Sequence, residues 1–534
     1  MDDSSFDYII VGAGSAGCVL AARLSENPAV RVALLEAGPV DTSPLIHCPA
    51  GIAAMPVIPS VSQALETVPQ AGLLGRKGYQ PRGRTLGGSS STNAMVCIRG
   101  QQADYDRWAA MGNPGWAWDD VLPYFRRAER NERLHDEWHG QTGPLNVADL
   151  QSPNVFSRRF VDAAVQAGFT RNDDFNGASQ EGVGLYQVTQ RGGERFSAAK
   201  AYLNPNMDRP NLQVMTGVTA ERIVLEGGVA QAVQVLQAGE RRSLRARREI
   251  IVSGGAFQSP ALLMRSGIGP AAHLQAMGIA LQCDLPGVGE NLHDHPDVVL
   301  VAEAASSALF GISPVGAWRM VQGMWHWHRQ RRGFLTTNFA EAGGFYKSSP
   351  DVAHPNIQLH FVVGKLVNHG RTPSFGHGYS LHVCLLQPKS RGTVRLASTD
   401  AMTPPLIDPK FLADPQDMVQ MMQGVRQARQ ILAQPALSAY GREWVQSSGA
   451  QSDEALAHWI RENADTIYHP VGTCRMGQDA MAVVDPQLRV RGVQALRVVD
   501  ASVMPRVVSG NTNAGTIMLA EKAADLIKAA PFGA

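Results

Sequence analysis

Long apolar runs are missing from this chain. No run of about 18 apolar residues occurs, which excludes an ordinary transmembrane helix. Cysteine is sparse: Cys18, Cys48, Cys97, Cys283, Cys384 and Cys474 are scattered over 534 residues without a C-x-x-C pair, so neither a common zinc module nor a disulfide framework is implied. An excess of one charge is missing too. Lys and Arg number 48 and Asp and Glu 47, so no whole-molecule field draws nucleic acid, and none is expected as a partner. No basic segment followed by an apolar one precedes the first strand-like stretch, as a secretion signal would. These absences predict a reduced, cytoplasmic setting. Internal repeats and low-complexity linkers are also lacking, and a chain this long has material for two or more bodies.

What is there begins almost at once. The stretch DYIIVGAGSAGCVLAARL carries Gly12, Gly14 and Gly17 in G-x-G-x-x-G spacing, after the apolar run Ile9–Val11 and before an apolar helical pattern. A second strand, RVALLEAG, ends at Glu36 about 20 residues on, which completes the dinucleotide fingerprint in strand–turn–helix–strand context. Gly12 permits the tight turn, Gly14 lets the backbone approach a pyrophosphate, and Gly17 lets the helix close on the strand. The helix N-terminus offers free N–H groups to phosphate, and Glu36 can accept from ribose hydroxyls. This fingerprint alone does not separate FAD from NAD.

Further along, LQVMT, the hairpin ERIVLE/VAQAVQVLQ around Gly227–Gly228, and REIIVSGGA read as strands. LRVVDAS and the helical TIMLAEKAADLIKAA close the chain in the same manner. One nucleotide-binding sheet is therefore expected from both ends of the chain. The middle strands IQLHFVV, SLHVCLL and TVRLA, followed by the helical MVQMMQGVRQARQILA, suggest an antiparallel sheet backed by helices. Between Leu45 and Leu74 the regular pattern dissolves, as in a lid or a surface loop.

Four segments carry chemistry: the fingerprint; PRGRTLGGSSSTNAMVCIRG (Pro81 to Gly100); GGAFQSPALLMRSGIG (Gly254 to Gly269); and the C-terminal pair IYHPVGTCRMG and VVDASVMPRVVSGNTNAGTIM. Occurring in this order, they resemble the glucose–methanol–choline (GMC) oxidoreductases over essentially the whole chain. The wording is most similar to bacterial FAD-dependent alcohol and choline dehydrogenases.

The resemblance implies an α/β fold: a Rossmann-like FAD-binding domain of parallel sheet plus β-meander (1–153, 205–303 and 468–534) and an α+β substrate domain on an antiparallel sheet (154–204 and 304–467). It implies that Gly12, Gly14, Ser15 and Ala16 meet the pyrophosphate and Glu36 the adenosine ribose, with Val218 at the adenine edge. Gly87, Gly88, Asn93, Ala94, Met95 and Val96 would wrap the flavin side, and Asp500 and Ala501 would lie near the pyrophosphate and ribityl chain. Thr92 stands where some relatives carry a flavin-linked histidine, so the FAD is expected to be non-covalent.

His469 and Asn511 occupy the family's two catalytic positions. An imidazole can take a hydroxyl proton near neutral pH, and an amide can hold the alcohol oxygen without titrating. Glu341 and His360 are weaker candidates for the substrate cavity, each also readable as strand packing. The activity implied is oxidation of a primary alcohol to an aldehyde by hydride transfer to FAD, with electrons passing to a quinone or other non-oxygen acceptor. An oxidase that reduces O2 to H2O2 and a non-redox hydroxynitrile-lyase-like protein are the alternatives. Two departures stand out: Gly515 replaces the usual Pro, a change read as neutral, and the lid lacks an aromatic cluster near SQALETVPQ, which suits bulkier alcohols. Finally, residues 317–334 (AWRMVQGMWHWHRQRRGF) place Trp318, Val321 and Trp325 on one helical face. That pattern fits peripheral membrane contact, or a helix packed on the middle body with Arg stems over apolar surface; the packed form is the expectation favoured.

Overall fold

The strands Ser5–Val11 and Val32–Glu36 pair in parallel and are joined through the helix Ser15–Leu24. This is a computed structural model, and it describes residues 4–55, 58–443 and 449–530. Leu212–Thr216 extends the parallel sheet beyond Val32–Glu36, and Glu240–Val252 pairs on the other side of Ser5–Val11. Glu240–Val252 belongs to two arrangements. Its first half continues an antiparallel meander with Val229–Gln237 and Val218–Glu226, while Ile250, Ile251 and Val252 pair in parallel with Leu496–Val498. Composition explains the change. The half ERRSLRARRE is mostly exposed and buries only Leu244 and Ala246, whereas IIV is wholly buried, as strands covered on both faces are.

The second sheet is antiparallel, in the order Gly441–Glu443, Pro296–Ala304, Gly376–Leu385, Ile357–Val362, Ala340–Tyr346, Gly182–Leu185. Because strand side chains alternate, Ile357, Leu359 and Phe361 join Leu381 and Val383 in a core under the helices Val155–Gln166 and Pro415–Leu432. Gln358, His360, His382 and Cys384 fall on the opposite face.

Several expectations need correction. TVRLA does not join this sheet: among the described residues, Thr393–Arg395 pairs as a strand with Leu406–Asp408 alone. Its inward Val394 packs with Ala256, Phe257 and Leu292, so the strand stitches the bodies together. Within 154–204, the turn Ala199–Leu203 packs into the core of the first sheet, because its residues are small or apolar and fit against the helix Ser15–Leu24. The segment after Leu45 is not simply a loop. It holds the strand Ser62–Glu66, paired with Tyr79–Gly83, and sends Cys48, Ala50 and Leu73 into the second core; positions 56 and 57 lie outside the described residues. The stretch 317–334 lies mostly in the helix Pro314–Gln330, which buries only Gly323 and Trp327 and so is not packed on the middle body by its Trp318 face.

The two ends of the first body are tied by one buried carboxylate. Glu521, on the last helix, Thr512–Ala529, is 0% exposed. It accepts from Arg23 Nε at 2.9 Å and Nη2 at 2.8 Å, Arg127 Nε at 2.8 Å and the Tyr202 hydroxyl at 2.8 Å. Truncating one partner of a buried ion network strands the others. Glu521→Ala is therefore expected to lower stability by about 3 kcal/mol, read as a fall in the urea midpoint; an unchanged midpoint would contradict this account.

Candidate active site

The fingerprint turn is enforced sterically. Gly12 has φ +105°, and a Cβ there would sit 2.5 Å from the Ser253 carbonyl oxygen; a Cβ on Gly17 would sit 1.9 Å from the Gly12 oxygen. Gly14 is different: nothing lies within 4 Å of where its Cβ would be, so the backbone faces open space. Gly255, φ +78°, faces open space likewise. The second segment closes directly on this turn, with Gly87 N donating to Ala13 O at 2.8 Å and the Gly88 Cβ position 2.7 Å from Gly14 Cα.

Two helix N-termini meet beside the opening. Neither Ser15–Leu24 nor Thr512–Ala529 has a side-chain cap, and Ser15 Oγ donates to Asn513 Oδ1 at 2.6 Å. Uncapped N–H groups and two positive dipole ends at one spot form a natural seat for pyrophosphate. At the strand end, Glu36 accepts from Ala13 N at 3.0 Å and Gly38 N at 2.8 Å, one bond per oxygen, which leaves acceptor capacity for ribose hydroxyls. Burial raises its pKa, and the backbone donors oppose that rise. Ala16 is buried behind the turn. Val218 is buried next to Gly217, whose N–H donates to the Gly38 carbonyl at 3.1 Å. Asp500 is also buried; its carboxylate accepts from Gly255 N, Ser259 Oγ and Ser502 N, so it braces the turn that Gly255 begins. Ala501, next in chain, is half-buried.

On the flavin side, Met95 has φ +60°, a costly conformation for a residue with a side chain. It is held by Asn93 Oδ1, which accepts from Met95 N at 3.0 Å and Arg195 Nη1 at 2.8 Å. Ala94 O accepts from Asn338 Nδ2 at 2.8 Å, and Val96 is buried. Arg195 is 1% exposed, and its Nη2 finds no acceptor within the described chain. An open glycine turn, paired uncapped helix ends and a buried unsatisfied donor all suit a large, anionic, flat cofactor.

The catalytic candidates meet. Asn511 stands at the N-cap of the last helix, a position Asn normally caps, yet its side chain makes no cap bond. Instead Nδ2 donates to His469 Nε2 at 3.3 Å and Oδ1 accepts from Gln358 Nε2 at 3.1 Å. Tyr468 has φ +70°, and this strained turn directs the following imidazole. His469 N donates to Asp294 Oδ1 at 2.8 Å, and His469 Nδ1 lies 3.1 Å from His295 Nδ1. With Asn511 donating to Nε2, the consistent tautomer carries its proton on Nδ1 and gives it to His295. The Nε2 lone pair then faces the amide and the opening.

Burial, then His295, His360 and Arg82, holds the His469 imidazolium well below the ordinary histidine range. Burial takes His295 down to about 3 and His360 down to about 4. His360 sits on the same strand face as Gln358, with its Nδ1 3.6 Å from Cys384 Sγ. Glu341 is not brought to this group. Its oxygens accept from Thr337 Oγ1 at 2.5 Å, Asn154 N at 2.6 Å and Ser157 Oγ at 2.7 Å, at the positive N-terminus of the helix Val155–Gln166. Sequence reasoning passed over Gln358, His295 and Asp294. Gln358 could have been found by the i, i+2 alternation from His360, and the other two by the NLHDHPD run entering a strand. Gly515 lies in the first turns of the last helix, where a Cβ would make only ordinary contacts, the nearest at 3.4 Å to the Tyr105 hydroxyl.

Comparison with known proteins identifies the family. The GMC oxidoreductase N-terminal model matches residues 6–297 and the C-terminal model residues 388–520. The chain belongs to the GMC oxidoreductases. It is 48% identical over 526 residues to an alcohol dehydrogenase [acceptor] of Pseudomonas putida, covering 98% of this chain and 95% of that one. It is 43% identical to the mitochondrial choline dehydrogenase of Homo sapiens, covering 98% and 90%. Its fold superposes on a formate oxidase of Aspergillus oryzae with TM-score 0.90 at 28% identity, covering 99% of each chain. Family membership makes the cofactor FAD, which the cradle described above fits.

The electrostatics set a pH expectation. Since the imidazolium of His469 is disfavoured, the neutral base persists as pH falls below its ordinary value of about 6.5. The rate of flavin bleaching by saturating alcohol in stopped flow should stay level from pH 8 through 6.5; a limb falling with a midpoint at 6.5 would refute the assignment.

Proposed function

We propose that this chain oxidises a primary alcohol to an aldehyde, with dissociable FAD, and passes the electrons to a quinone or another non-oxygen acceptor. One observation carries the reading: a neutral imidazole with its lone pair facing an amide N–H at the mouth of a dinucleotide cradle. FAD, when bound, supplies the hydride acceptor. His469 Nε2 takes the hydroxyl proton, and Asn511 Nδ2 steadies the alcohol oxygen as charge develops on it. Gln358 fixes the amide so that its nitrogen, not its oxygen, faces the imidazole. His295 receives the Nδ1 hydrogen and keeps the ring in the tautomer that leaves Nε2 basic. Asp294 pins the His469 backbone.

An uncharged alcohol suits this site better than a quaternary ammonium, because the Glu341 carboxylate is committed to the helix N-terminus. Thr92 offers no imidazole for a flavin link. The name of the Pseudomonas putida relative favours a dedicated acceptor. The formate oxidase structure keeps oxygen as the second reading. A quinone is lipid-soluble, so the proposal includes peripheral membrane contact through 317–334.

Anaerobic mixing with medium-chain primary alcohols should bleach the flavin, and a quinone analogue should restore its colour much faster than air does. A flavin that no alcohol bleaches would overturn the redox reading, and rapid peroxide formation would transfer it to the oxidase. His469→Ala should keep the yellow colour yet slow bleaching by about 100-fold; unchanged single-turnover rates would remove this residue from the mechanism.

A further inference from the structure

The helix Pro314–Gln330 is amphipathic in the inverted sense. Only Gly323 and Trp327 are buried, the latter donating from Nε1 to Gly193 O at 2.9 Å. Trp318, Val321 and Trp325, spaced to share one face, are 62%, 54% and 55% exposed. Ile312, just before the helix, is exposed as well and forms a parallel bridge with Phe375, itself 79% exposed. A helix against water normally turns its polar side outward, and contiguous exposed apolar patches of this kind mark interaction surfaces.

Charge identifies the occupant. No Asp or Glu occurs between Glu303 and Glu341, while Arg319, Arg329, Arg331 and Arg332 all do. Arg331 is committed to Glu194 at 2.7 Å, but Arg329 and Arg332 are exposed, and the Arg329 guanidinium lies 5.9 Å from the Trp325 ring centre. The acids beside this face are engaged, Glu194 by Arg331 and Lys200 and Glu303 by Lys365, so a second copy docking by two-fold symmetry would set its exposed arginines against themselves. A layer of lipid phosphates over hydrocarbon meets both its charge and its apolar side chains, with the indole rings at headgroup level.

We propose that this face docks on the surface of a bilayer containing anionic phospholipid. Trp318, Val321, Trp325 and Phe375 enter the headgroup boundary, and Arg329 and Arg332 meet lipid phosphate. The inference rests on the quinone reading for its purpose, though not for its geometry. The chain leaving this helix runs straight to the cofactor side: Thr336 O accepts from Gln190 Nε2 at 3.2 Å and Asn338 donates to Ala94 O.

The test is co-sedimentation of the FAD-loaded protein with vesicles of phosphatidylcholine alone or mixed with phosphatidylglycerol. Binding should be about 10-fold or more stronger to the mixed vesicles, and Arg329→Glu/Arg332→Glu should erase that preference. Trp318→Ser/Trp325→Ser/Phe375→Ser should lose vesicle binding while keeping flavin absorbance and turnover with a soluble dye. Quenching of tryptophan fluorescence by brominated lipid in the unaltered protein serves as a readout independent of how the variants fold. No pelleting with either vesicle and no quenching overturns the proposal. So does an unaltered protein that is a dimer and becomes monomeric in the triple variant, which would assign the face to a second copy. Dye turnover without vesicle binding defeats docking alone; vesicle binding by a protein whose flavin no alcohol bleaches defeats the alcohol reading alone.

Discussion

The hydrogen bond from Ser15 Oγ to Asn513 Oδ1, 2.6 Å long, joins residues 498 apart and sets where everything else can stand. It holds the start of the last helix beside the start of the first, so that two positive ends point at one place. It also fixes Asn511, two residues away, within reach of His469. A shift of the last helix would disturb the pyrophosphate seat and the amide–imidazole pair together. Glu521 guards against such a shift, since it clamps the same helix to Arg23 and Arg127 further along. Binding of the dinucleotide and placement of the acid–base pair are thus consequences of one packing arrangement between chain ends.

Desolvation governs the chemistry built on that arrangement. Three imidazoles, His469, His295 and His360, lie close together, and for each the leading cause of a lowered pKa is burial, with neighbouring imidazoles adding to it. None gains a carboxylate strong enough to reverse the effect: Asp294 bonds to the backbone of His469 and His295, not to their rings. The Asp297 carboxylate is directed to His382 Nδ1 at 2.6 Å, one strand further away. A carboxylate on the ring of His469 would have favoured the imidazolium and raised its pKa toward or above the ordinary histidine range. The backbone-only role of Asp294 keeps the ring placed without charging it.

Much of the first body was legible because local pattern and tertiary environment agree there. The run Ile9–Val11 is buried on both faces, as a continuous apolar strand in a covered parallel sheet must be, and the hairpin turns at Gly227–Gly228 where two positive φ angles are needed. TVRLA has the same local pattern but too few neighbours in its own register, so its destination was set by Ala256 and Phe257, which no window of sequence reveals. Ala198–Leu203 shows the same limit: small apolar residues fit either core, and only the surface of the first helix decides. At the site, the resemblance supplied His469 and Asn511, but the partners that orient them are ordinary residues in isolation. Gln358 acquires meaning only when the strand faces across the gap to Asn511, and His295 only when the Tyr468 turn swings His469 against it.

The outward tryptophans pose the converse problem. Inside the molecule, large apolar side chains of the second core answer to neighbours: Phe310 and Phe334 stack at 3.7 Å, and Phe160 lies 4.9 Å from Phe361. Trp318 and Trp325 could be exchanged for polar residues without opening a core cavity, since both are more than half exposed and the neighbours of Trp325, His326 and Arg329, are themselves at the surface. Arg319 shows that the helix can shelter aromatic surface where the fold needs it, with its guanidinium 4.6 Å from the Phe334 ring centre. The fold therefore does not require the exposed rings. A requirement from outside the fold accounts for them, and its position, one short loop from the Asn338–Ala94 contact, sets an apolar approach next to the place where both a lipophilic alcohol and a lipid-soluble acceptor would have to arrive.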